Sequence, residues 1–294
     1  ITVNIMMDYP MALSIDNIRV FSRVFSRPVF EALAKGREPS NVLDFVSFSD
    51  EMKQDGQPLH TFFSECYKEL SRNYRNEYVY KTEVANRIVF GRHSPRTSSL
   101  LSELHVGKSI VDIAIFNGTS TAYEIKTEYD TPRRLQTQTP DYLKAFDKVY
   151  VVTHPNLSEK YAEIVPDKVG VIALNNRGSL KIVKNAESNL ANVDILYIFR
   201  MLKRSEYLPA IEKFIGEKIN LPNGLIYAFC EDIFKKIPQD LAHNIYINAM
   251  RGRTTSDDIV SFVNCLPSCL RVLGMSSALS SVQRKKILTV LGIV

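Results

Sequence analysis

Three carboxylates and one ammonium fall at spacings that two tight turns can bring together. Residues 102–106, 109–116 and 120–126 are short apolar or β-branched runs bounded by turn residues, the pattern of consecutive strands. Gly107-Lys108 as a two-residue loop pairs Val106 with Ser109 and so sets Glu103 opposite Asp112. Asn117-Gly118-Thr119 as a three-residue loop pairs Phe116 with Ser120 and sets Asp112 opposite Glu124. Lys126 shares the face of Glu124, because strand side chains alternate. Like charges at such proximity repel, and a sequence tolerates them around a cation or at a reacting centre. The bland reading is an exposed Glu124–Lys126 ion pair worth under about 1 kcal/mol. Against it stand Ile110, Val111, Ile113, Ala114, Ile115 and Ile125, which make both strand faces apolar. An acid in such a setting is costly unless it is paired or metal-bound.

The constellation of Asp112 at a strand start followed by Glu124-Ile125-Lys126 resembles the PD-(D/E)XK, or restriction-endonuclease-like, nuclease superfamily. The resemblance spans roughly residues 76–152 and takes in the Asn-Gly turn, a helix carrying Asp130, Arg134, Leu135 and Gln138, and the β-run 148–153. It looks like one poorly characterised bacterial branch. The usual proline before the first acid is absent, the residues there being Ile110-Val111-Asp112. The resemblance implies a mixed-sheet α/β core and a glutamate on the helix that opens it. Glu77 is the candidate for that glutamate, in competition with Glu103 from the first strand. It further implies that Arg134 binds phosphate and that Gln138 orients the attacking water or a phosphate. The two are four apart and share a helix face.

The chemistry expected is hydrolysis of phosphodiester bonds, with DNA as the substrate, in a defence, mobile-element or toxin setting. Hard oxygen ligands select Mg2+ or Mn2+ over zinc. Asp112 and Glu124 are the expected ligands, with the Ile125 carbonyl and Glu103 or Glu77 supporting them. Lys126 would position the water and stabilise developing negative charge. The reading from a different class is a non-catalytic binding module on a nuclease-like scaffold, which the intact acid–acid–x–Lys set disfavours.

Those residues need elements to hold them. At 294 residues and 45% hydrophobic content the chain can bury a real core. It divides by pattern into an N-terminal helical region (1–73), the nuclease-like core (74–186) and a C-terminal helical domain (187–294). Residues 12–34 are helical with an interruption at Pro28, a short buried helix is expected over 41–48, and 50–58 reads as a polar loop. Residues 60–92 carry two helical stripes. From Tyr67 to Arg96, seven Lys/Arg stand against three Glu, interleaved with tyrosines. This suits a phosphate backbone, with Arg75, Lys81 and Arg92 as candidate contacts, but tyrosines anchored in a core would give the same letters. His93 and His105 are lone histidines, and His105 should face away from the acids.

Beyond Lys126, Pro132 suits a first helical turn, while Pro140 should kink or split that helix. Residues 148–153 read as a strand parallel to the third through a helical crossover, 170–174 as another, and 180–183 as an edge strand. The rest is helical by pattern, with breaks at Pro209, 221–224, Pro238 and Gly274, and could bind a target, a second copy or a protein partner. Cys66, Cys230, Cys265 and Cys269 lack zinc-finger spacing and read as buried small hydrophobes, Cys265 and Cys269 being at most half a metal site. No apolar run is long enough for a membrane span, and the first ten residues lack a leader pattern. With a net charge of +5, these features point to a cytoplasmic protein with an anionic polymer as partner.

Overall fold

A computed structural model describes residues 15–37 and 58–294. The chain enters through α1 (Ile15–Val24) and α2 (Arg27–Ala34), separated where Pro28 takes the first turn of α2. After α3 (Leu59–Asn73), the Asn76 side chain accepts the Val79 N–H and starts α4 (Glu77–Val84), which runs on as a π-helical turn, Ala85–Arg92. The helix expected at 41–48 and nearly all of the 50–58 loop lie outside the described residues.

Six strands follow, β1 (Ser99–Val106), β2 (Ser109–Phe116), β3 (Ser120–Lys126), β4 (Lys148–Thr153), β5 (Val169–Leu174) and β6 (Leu180–Lys184), in the spatial order β1-β2-β3-β4-β5-β6. The sheet is mixed: β3, β4 and β5 are parallel and the outer pairings antiparallel. The parallel step from β3 to β4 crosses over through α5 (Leu135–Ala145), and that from β4 to β5 through α6 (Pro155–Ile164), a helix the sequence pattern did not mark. Both turn registers are as counted from sequence, Val106 opposite Ser109 and Phe116 opposite Ser120.

Helices cover both faces. One core joins Leu100, Ile113, Ile115, Tyr123, Ile125 and Val152 to α1–α4. The other joins Val111, Ala114, Ala122, Val149 and Val151 to α5. The stretch 187–294 divides between these faces. α7 (Ile195–Arg200), α8 (Arg204–Ile215), α9 (Asn223–Phe234) and α10 (Gln239–Gly252) pack with α5, while α11 (Asp257–Cys265), α12 (Arg271–Ser276) and α13 (Ser281–Val290) pack with the N-terminal helices. Pro222 and Pro238 stand immediately before α9 and α10 as expected.

Pro140 and Pro209 do not split their helices. Each removes one N–H, and the residues four before them, Gln136 and Ser205, are exposed, so water can satisfy the freed carbonyls. Gly274 likewise lies within α12, where a Cβ would meet the Leu266 side chain at 2.5 Å. Cys66, Cys230 and Cys269 are buried as read, but Cys265 is exposed.

The β1–β2 hairpin is pinned by Gly107. Its φ of +62° is left-handed, and a Cβ there would lie 1.7 Å from the Tyr197 hydroxyl. Gly107→Ala should therefore destabilise the protein by about 1–3 kcal/mol, read as a lower urea midpoint; an unchanged midpoint would mean the hairpin has slack there.

Candidate functional site

The acids gather where β1, β2 and β3 meet α4 and α5. Glu103 and Asp112 fall at the counted register between the regular pairs Ser102–Ile113 and Leu104–Val111 but are not themselves a ladder pair. The β2–β3 ladder likewise starts at Ile113–Tyr123, one step beyond the counted Asp112–Glu124 pair. The Glu103 backbone is left-handed, with φ +55°, unusual for a side chain other than Gly, Asn or Asp. Strict alternation fails at this step. Val111 and Ile113, two apart, pack in opposite cores, as do Leu100 and Leu104. The expected convergence of all four charges on one sheet face becomes two linked groups.

The first group is centred on Lys81, whose ammonium lies 2.5 Å from Glu77, 3.5 Å from Glu103 and 3.9 Å from Asp112. Burial would lower the Lys81 ammonium, but Glu77, Asp112 and Glu103 outweigh it and hold it above its ordinary value. Arg27, from α2, adds a second cation 3.0 Å from Glu103. The second group is buried: the Lys126 ammonium donates to Glu124 Oε1 at 2.6 Å and to Gln138 Oε1 at 3.4 Å. The Tyr142 hydroxyl from α5 lies 2.7 Å from both Glu124 Oε2 and the Ile110 carbonyl, and its single proton serves one of them at a time. Glu124 and Lys126 thus share a face, as alternation required.

Asp112 links the groups. Its Oδ2 accepts the Ile125 N–H at 2.7 Å, while Oδ1 faces Lys81. Burial and then the charges of Glu124 and Glu77 push its carboxyl up to about 7, against the pull of Lys81 and the Ile125 amide. It is a carboxylate held where another positive charge would be welcome.

The candidate phosphate contacts fare differently. Arg75 is largely buried, its guanidinium donating to Asn176 Oδ1 and the Leu174 carbonyl, so it supports the β5–β6 turn and lies away from the acids. Lys81 is buried among the acids. Arg92 and Arg134 are exposed. Much of the tyrosine pattern is core anchoring: Tyr80 is fully buried, Tyr67 donates to Glu83 and Tyr78 to the Cys269 carbonyl. His105 is exposed, and His93 contacts Asn117 at 2.9 Å. Sequence reasoning missed Lys81 as a member of the acid cluster, although its spacing of four from Glu77 would have placed both on one helix face.

Two carboxylates and the Ile125 carbonyl are hard oxygen donors of the kind Mg2+ or Mn2+ takes, with water and substrate oxygens completing the shell. Among the described residues no three His, Cys, Asp or Glu side chains are grouped closely enough to hold a metal ion by themselves. An ion here would therefore rest on few protein ligands, the manner in which Mg2+ is commonly held. No helix among the described residues is long and apolar enough to cross a membrane.

The family model described as Bacteriophage P4 protein cII matches residues 71–273, which include the whole sheet and every acid named above. Protein cII of Enterobacteria phage P4 is 26% identical over 155 residues, covering 51% of this chain. The aligned part is 57% of that relative's length. No solved structure matches.

Proposed function

We propose, for a chain that belongs to the bacteriophage P4 protein cII family, that it is a metal-dependent nuclease with a restriction-endonuclease-like core. The observation that carries this is the Asp112 carboxyl, raised by burial and like charges beside a Glu124–Lys126 pair at the C-terminal end of β3. Ligand sites in open α/β sheets lie outside the carboxyl ends of strands, and strongly raised acids cluster at functional sites.

Asp112, Glu124 and the Ile125 carbonyl would hold the ion, which when bound supplies Lewis-acid polarisation of the phosphoryl oxygen and a more acidic water. The protein's own residues do the rest. The Lys126 ammonium, fixed by Glu124 and Gln138, presents protons toward the phosphate and the attacking water. Gln138 orients that water through its amide, and Tyr142 clamps the far oxygen of Glu124. Glu77, Glu103 and Lys81 set the charge around Asp112. Arg134 and Arg92, both exposed, are the candidate substrate-backbone contacts.

The test is incubation of the protein with plasmid, linear DNA and RNA in Mg2+ or Mn2+, beside chelator controls. Metal-dependent loss of intact substrate is the expected result. Absence of cleavage on all three would favour the scaffold reading, for which the near-complete burial of Glu124, 2% exposed, is the specific support.

A further inference from the structure

We propose that a second site, on the far side of α4 from the acids, binds the phosphodiester backbone of single-stranded nucleic acid. A groove of about 270 Å3 lies between α3, α4 and the β5–β6 turn. Lys68, Arg72, Arg75, Arg87 and Arg177 line it against a single acid, Glu83. That acid is already engaged by the Tyr67 hydroxyl at 2.9 Å and by Arg87 at 3.6 Å. Arg72 and Arg177 are exposed and have no carboxylate partner among the described residues. Arg75 forms a fixed positive floor, buried and held by Asn176 and the Leu174 carbonyl. The Arg87 Nε donates to the Gly178 carbonyl, bracing the turn that carries Arg177. Planar guanidinium forks over an immobile cation fit phosphate oxygens bidentately.

On α4, Val79 and Glu83 line this groove, whereas Glu77 and Lys81 project about 120–160° away around the helix, toward the acids. A pair of tyrosines lies just outside the groove, Tyr74 immediately before Arg75 and Tyr129 three residues after Lys126. The Tyr74 and Tyr129 rings pack with centroids 5.2 Å apart, Arg19 lies 5.4 Å over Tyr74, and Tyr129 is 55% exposed. The chain thus places this exposed ring between the last residue of β3 and, through Tyr74, the groove residue Arg75. An exposed ring, tilted 33° to its partner and set among cations, suits unpaired bases, which present a π-face whatever their sequence. The proposal rests on the nucleic-acid reading above for the identity of its partner, but not on catalysis.

Binding of a fluorescein-labelled single-stranded oligonucleotide, followed by anisotropy in EDTA, tests it without any cleavage. The paired substitution Arg72→Gln and Arg177→Gln should weaken binding about tenfold and reduce the log–log salt slope by about 1.4, the loss of two phosphate contacts on a single strand. Tyr129→Ala should weaken it about 5- to 150-fold, the range for losing one stacked base. Asp112→Asn should bind at least as tightly as the parent, which separates failure of this site from failure of the nuclease reading. All the replaced groove residues are surface positions, and equal melting temperatures would confirm intact folding. Unchanged affinity and slope in the double variant would overturn the proposal. So would equal or tighter binding of a blunt duplex, or competition by inorganic phosphate or ATP at micromolar concentration, which would make this a small-anion pocket.

Discussion

Asp112→Asn and Lys126→Gln should each lower the rate of phosphodiester cleavage by about 10²–10⁴-fold, the range for removing a positioned charge or proton-transfer group. Both changes are chosen to keep the local architecture. In Asp112→Asn the carboxamide oxygen can still accept the Ile125 N–H, and in Lys126→Gln the side-chain amide retains a donor for Glu124. Lys126→Ala is a poorer probe. It would leave the Glu124 carboxylate, 2% exposed, without its ammonium, and removing one partner of a buried pair costs about 3–5 kcal/mol. Single-turnover rates in Mg2+, with circular dichroism to confirm folding, make the measurement. Cleavage at parental rates by both variants would remove Asp112 and Lys126 from the chemistry, and any nuclease activity would then have to originate elsewhere in the chain.

These two residues are legible in the sequence because hairpin register is arithmetic. Gly107-Lys108 and Asn117-Gly118-Thr119 fix loop lengths, loop lengths fix cross-strand partners, and alternation puts Glu124 beside Lys126. What breaks the count is one backbone angle. The left-handed Glu103 shifts the face on which β1 continues, and no pattern in a glutamate announces φ +55°. Lys81 reads as a phosphate contact because a lysine in a basic run looks solvated. Its partners Glu103 and Asp112 come from strands more than twenty residues away, and that approach depends on how α4 docks on the sheet. The division of the last hundred residues between two faces is hidden for the same reason: amphipathic stripes say that a helix buries one side, not against what.

The same charge arrangement should make the Asp112 contribution to the stability of the metal-free protein fall as pH rises, a less common direction for a carboxylate. In the unfolded chain Asp112 ionises near the usual carboxylate value of 3.8, whereas folded it holds its proton up to about 7. The folded state therefore binds more protons across that window. Its advantage from this group is complete below about pH 4 and gone above pH 7. A shift of about three pKa units corresponds to at most about 4 kcal/mol. Asp112→Asn cannot ionise, so in EDTA it should match the parent near pH 4 and exceed it by about 2–4 kcal/mol at pH 8, read from urea midpoints. Saturating Mg2+ should restore the parent at pH 8, where the carboxylate is free to bind it. The ion should do much less at pH 5, where it must first displace a proton, and nothing comparable for the variant. Parallel stability curves for parent and variant across this range would mean that Asp112 ionises without penalty. The like-charge strain that motivates the cation site would then be absent.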